Sequence, residues 1–138
     1  MEKEIKKGMT RRQSRECAVS LIFAQFYSPE KTREELISDY RESHDEKPGR
    51  FAKELFNGVC DNVAELDEMI REAAENWKLS RISRVLRAIL RICVYEIIYM
   101  PDIGREISIN EALELARIYD DEKAVAFVNG VIAGIVNK

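Results

Sequence analysis

Between residues 82 and 97, the apolar positions Ile82, Val85, Leu86, Ile89, Cys93 and Ile97 recur mostly at steps of three and four. That spacing lines them along one side of an α-helix, and such a stripe has to be buried against other elements. A chain organised around it needs further helices as cover, and the rest of the sequence supplies them. Thr10-Arg11-Arg12-Gln13 fits a capping box, with the threonine hydroxyl covering first-turn amides and Gln13 reaching back. It opens a helix over about residues 11–27, which Ser28-Pro29 stops. Thr32 to Glu35 repeats the pattern before Leu36, Ile37 and Tyr40, and the polar stretch Ser43–Gly49 reads as a loop. Phe51, Leu55, Val59 and Val63 return to helical spacing. Asn62 with Glu65 fits the cap of a successor carrying Leu66, Ile70 and Ala73, though the spacing leaves open whether these two helices are continuous. Met100-Pro101 ends the central helix. Ser108 with Glu111 reads as another capping box, ahead of Ala112, Leu115, Ala116 and Tyr119. Asp120 or Asp121 then starts a last helix along Val125, Val128, Val131, Ile132 and Ile135. No segment alternates with period two for long enough to form a sheet. The expected fold class is all-α, with six or seven helices.

A length of 138 residues suits one domain, or two small helical halves sharing a core. Six glycines and three prolines are too few for a turn-rich β fold. No run approaches the roughly 20 apolar residues of a membrane span. The opening MEKEIKKGMTRRQSRE lacks the apolar core of a secretory signal, so a cytoplasmic location is expected. Cys17, Cys60 and Cys93 are far apart, without a CxxC pair, and read as idle thiols in a reducing compartment. Charge is unevenly spread. Residues 1–15 hold Lys3, Lys6, Lys7, Arg11, Arg12 and Arg15 against Glu2 and Glu4, while the whole chain has a net charge of −3. A basic start on an acidic body suggests a localised polyanion contact, and a solvated tail explains the charge alone equally well. Residues 1–9 are expected to be a flexible basic arm, and 10–138 a single helical domain.

Little in the chain suggests catalysis. His44, the only histidine, has no His or Cys neighbour at ligand spacing. There is no Gly-rich phosphate loop and no GxSxG elbow. No enzyme activity, cofactor or metal is expected. The strongest functional feature is the cluster Arg11, Arg12 and Arg15, whose guanidinium groups can fork onto phosphates, with Gln13 and Ser14 available to sugar or base edges. Arginines at a helix start oppose the macrodipole, a penalty that a bound polyanion reverses. Arg81, Arg84, Arg87 and Arg91 form a second row, read as an outer face paired with nearby acids. Glu96 lies amid apolar neighbours and calls for a buried partner. Tyr95 and Phe127 fit either base stacking or the core.

Several segments resemble the NusB family of transcription antitermination factors. Arg15-Glu16-Cys17-Ala18-Val19 after a basic start is similar to that family's opening, and Phe51 through Gly58-Val59, Leu66-Asp67 and Ile70 follow its middle. More specific are Ala88-Ile89-Leu90-Arg91, Val94-Tyr95-Glu96, Ile109-Asn110-Glu111-Ala112, Glu114-Leu115-Ala116 and Phe127-Val128-Asn129-Gly130-Val131. In order, they span about Thr10 to Asn137. The resemblance implies about seven helices in two packed subdomains. It also implies binding to boxA-type single-stranded RNA of ribosomal RNA leaders, with the ribosomal protein NusE as partner, within the transcription elongation complex. Matched residue by residue, Arg11, Arg12 and Arg15 correspond to the family's arginine-rich start, Phe127 to an aromatic on its RNA face, and Lys123 lies one turn earlier. Gln13 stands where that opening run has a third arginine. Leu86 stands where the family often has an acid, on the fifth helix near the partner surface. Two other readings remain: a protein-binding helical adaptor without RNA, and a stand-alone relative of the RNA-binding domain of a ribosomal RNA methyltransferase. The second would need a further α/β domain, for which 138 residues leave no room.

Overall fold

The computed structural model describes residues 8–75 and 81–137. The expected basic arm, with Lys3, Lys6 and Lys7, therefore lies outside the described residues except for Gly8 and Met9. Seven α-helices are described: α1 (Arg11–Tyr27), α2 (Arg33–His44), α3 (Arg50–Asp61), α4 (Val63–Ala73), α5 (Arg84–Tyr99), α6 (Arg105–Tyr119) and α7 (Glu122–Val136). A 3-10 turn, Pro101–Ile103, links α5 to α6, and no strand occurs among the described residues.

The helix that carries the apolar stripe lies at the centre. α5 packs against α1, α3, α4, α6 and α7. Burial consequently spreads beyond the stripe to Ala88, Leu90, Ile92 and Val94, as befits a helix enclosed by neighbours. α1 to α3 form one group and α4 to α7 the other, and a single continuous core runs through both. At the α3–α5 crossing Gly58 is buried against Tyr95. A Cβ at Gly58 would lie 2.1 Å from the ring, so only hydrogen fits there.

Local signals set several helix ends. Thr10 with Gln13, and Thr32 with Glu35, form complete capping boxes, and Asp121 caps α7 through the Ala124 amide. Three expectations are corrected. α2 runs on to His44 and stops at Asp45, which takes a left-handed φ of 48°, so the loop is shorter than Ser43–Gly49. Asn62 separates α3 from α4, but its side-chain amide donates to the Gly58 carbonyl at 2.8 Å and closes the preceding helix. Ser108 is no cap. α6 starts a turn earlier, after Gly104 at φ 100°, and this brings the Ser108 hydroxyl inside to donate to Glu96 at 2.8 Å.

Candidate nucleic-acid interface

The capping box at Thr10 starts α1 so that Arg11, Arg12 and Arg15 leave its first two turns in different directions. Their surroundings differ completely. Arg11 is exposed, its guanidinium 4.0 Å from the centre of the Phe51 ring on α3, and it makes no ion pair among the described residues. Arg12 reaches α6, where Nε and Nη2 donate to the two Glu111 oxygens at 3.0 and 3.1 Å. Glu111 raises the Arg12 pKa, first by hydrogen bonding and then by its charge. Arg15 turns inward. Its Nε and Nη2 donate to Glu96 on α5 at 2.8 Å each, and only 4% of its side chain is exposed. Burial works against that charge, but the bonds to Glu96 outweigh it and the pKa rises. The expected phosphate contact from Arg15 is thus corrected. Its side chain is buried, with Nε and Nη2 committed to a carboxylate, and it is the partner that Glu96 requires. Ser14 is likewise buried, and the Gln13 carbonyl oxygen accepts from the Thr10 amide.

Phe127 and Lys123 sit one turn apart on α7. Phe127 is half-buried and Lys123 is exposed. Together with Ile82, Leu86 and Arg81 they line an open pocket of ≈ 400 Å³ between α7 and the start of α5. The candidate residues therefore fall into two groups, Arg11 and Arg12 at the start of α1, and Lys123 and Phe127 at the start of α7. α6 packs on α7 and holds Arg12 through Glu111.

The NusB family model matches residues 12–137. The chain belongs to the NusB family. Relatives bear this out over most of the chain. It is 43% identical over 129 residues to the transcription antitermination protein NusB of Bacillus pumilus, with 94% of this chain and 96% of that one covered. It is 36% identical to the Clostridium botulinum protein of the same name, with 93% and 100% covered. Among solved structures, T. maritima NusB aligns with a TM-score of 0.84 at 29% identity, covering 96% of this chain and 94% of that one. A crystal structure of the antitermination factors NusB and NusE in complex with dsRNA contains a chain that aligns at 0.80 and 25% identity, covering 94% and 98%.

Elsewhere on this NusB-family chain the second arginine row departs from its expected pairing. Among the described residues, Arg91 is the member of this row that pairs with an acid, donating to Asp67 at 2.7 Å through both Nε and Nη2. Arg87 and Arg91 both lie over Phe26, at 4.6 and 4.8 Å, and Arg84 lies over Tyr27 at 4.6 Å. Aromatic faces replace carboxylates along much of this row. Tyr95 proves to be packing, half-buried against Gly58 and stacked on Tyr99. The thiols of Cys17 and Cys93 are buried and that of Cys60 is partly so, and burial raises the pKa of all three. No cluster of His, Cys, Asp or Glu among the described residues could hold a metal ion, and no helix there is long and apolar enough to cross a membrane. Sequence reasoning missed two residues of the candidate interface. Phe51 counted as core and Glu111 as a cap, and nothing local to either one signals an arginine from α1.

Proposed function

We propose that this chain is a non-enzymatic RNA-binding transcription antitermination factor that takes boxA-type single-stranded RNA together with a NusE-type ribosomal protein. It would act in the cytoplasm, within the elongation complex, in support of ribosomal RNA transcription. The observation that carries the reading is the exposed guanidinium of Arg11 at the start of α1, which makes no ion pair among the described residues, with a half-buried Phe127 on α7. A polyanion gains from the first by releasing counterions, and an unstacked base gains from the second by stacking. Membership of the family supports it, and so does the likeness to a NusB chain solved with NusE and dsRNA. Lys123 adds a second exposed cation one turn from the ring, whereas Gln13 contributes at most its amide nitrogen, its oxygen being held by the cap.

Titration of boxA-like RNA at several salt concentrations tests this, with the duplex form as a comparison. Arg11→Ala should lower the slope of log affinity against log salt by about 0.7 for a single strand. Phe127→Ala should cost roughly 1–3 kcal/mol of binding while leaving that slope nearly unchanged. A protein whose RNA affinity ignores both changes is not an RNA-binding factor through this surface.

A further inference from the structure

The RNA reading treats the α1 arginines as phosphate contacts, yet Arg12 already holds an anion. Glu111 meets its Nε–Nη2 edge with one carboxylate oxygen on each nitrogen, at 3.0 and 3.1 Å. A guanidinium grips a phosphate in this same bidentate way. The pair joins α1 to α6 across 99 positions of sequence, and it lies at the surface, with 48% of the Arg12 side chain and 22% of the Glu111 side chain exposed. Glu114 and Glu16 add negative charge around the same guanidinium. An exposed pair of this kind is weak enough to be exchanged for another anion. Arg11, one residue away, has an aromatic ring beneath it in place of an acid.

We propose that Glu111 is an acidic member of the RNA interface, occupying the Arg12 fork in the free protein and yielding it to an RNA phosphate on binding. The inference rests on the RNA reading of this surface. Arg12 then exchanges one anion for another, whereas Arg11 has no acid to exchange among the described residues. The phosphate that reaches Arg12 sheds a counterion, but the freed Glu111 takes one up, so the contact adds almost nothing to the net release. Two neighbouring arginines thereby differ in their salt dependence, and Glu111 holds affinity below what the number of arginines implies.

The test is titration of boxA-like single-stranded RNA, at several salt concentrations, with the parent, Arg11→Ala, Arg12→Ala, Glu111→Gln and the Arg12→Ala/Glu111→Gln double variant. Glutamine keeps the size and one acceptor of Glu111, and thermal melting checks that the fold is unchanged. Glu111→Gln should bind about two- to fivefold tighter, the strength of an exposed ion pair expressed as a ratio. Its salt slope should steepen by about 0.7, and both gains should vanish when Arg12 is alanine. Arg12→Ala alone should weaken binding with little change of slope. Equal or weaker binding by Glu111→Gln would make the pair a plain staple between α1 and α6 and overturn the proposal. A gain that persists undiminished in the double variant would overturn it too, reducing Glu111 to distant repulsion. Either result alongside an intact Arg11→Ala effect leaves the RNA reading standing, while indifference to Arg11→Ala and Phe127→Ala removes both.

Discussion

Arg15 and Glu96 lie 81 positions apart and meet in the core through two hydrogen bonds of 2.8 Å each. The Ser108 hydroxyl donates to the same carboxylate at 2.8 Å, so three helices, α1, α5 and α6, are tied at one point. The tie anchors the start of α1, which carries Arg11 and Arg12 at the surface.

Removing one partner strands the other charge in an apolar setting. Arg15→Ala should destabilise the fold by about 3–5 kcal/mol, the usual cost of breaking a buried ion pair. Arg15→Met combined with Glu96→Leu should lose less than Arg15→Ala alone, because no buried charge is left over. Denaturant midpoints measure both, and an Arg15→Ala midpoint equal to the parent's would contradict the pairing.

The contact between Gly58 and Tyr95 leaves no room for a methyl group, since a Cβ would sit 2.1 Å from Cζ of the ring. Gly58→Ala should cost about 1–3 kcal/mol, the range for overpacking a close contact. Combined with Tyr95→Ala, the loss should fall short of the sum of the two single losses. Strict additivity in urea unfolding would show that the helices relax independently of the ring.

Alkaline pH should weaken the fold through its buried thiols. Burial pushes the Cys17 thiol up to about 11 from its ordinary 9.0, and Cys93 moves in the same direction. A raised value means that the fold favours the neutral form. The stabilisation is complete below the unfolded value and is lost as pH rises from about 9 to about 11. Unfolding free energies measured across this window should decline, and Cys17→Ala should decline less steeply. Parallel slopes would mean that Cys17 ionises equally well folded and unfolded.

Protein and RNA surfaces should separate by mutation. Resemblance to the NusB family implies a partner surface on the later helices, away from the start of α1. Arg11→Ala with Arg12→Ala should therefore leave capture by a NusE-type protein intact when RNA is absent. Loss of that capture would merge the two surfaces.

The helices were legible because their signals are local. Thr10 with Gln13 and Thr32 with Glu35 close their caps within three residues, and the spacing from Val85 to Ile97 marks α5 as a core element, with Ile82 just ahead of its start. Identical local signals also mislead. Ser108 and Glu111 have the same spacing as a capping box, but Gly104 starts α6 earlier, which leaves one side chain for Glu96 and the other for Arg12. The family was legible too, from motifs spread over most of the chain.

What the sequence by itself determined is the set of helices, their order and the family, since caps, spacing and motifs are properties of neighbouring residues. Only the tertiary structure decided what each arginine of the basic cluster does. Arg11, Arg12 and Arg15 are equivalent as letters, but their charges are balanced by an aromatic ring, an exposed carboxylate and a buried one. Those partners come from α3, α6 and α5. Electrostatic balance depends on distance in space and on exclusion of water, and neither is written in the order of residues along the chain.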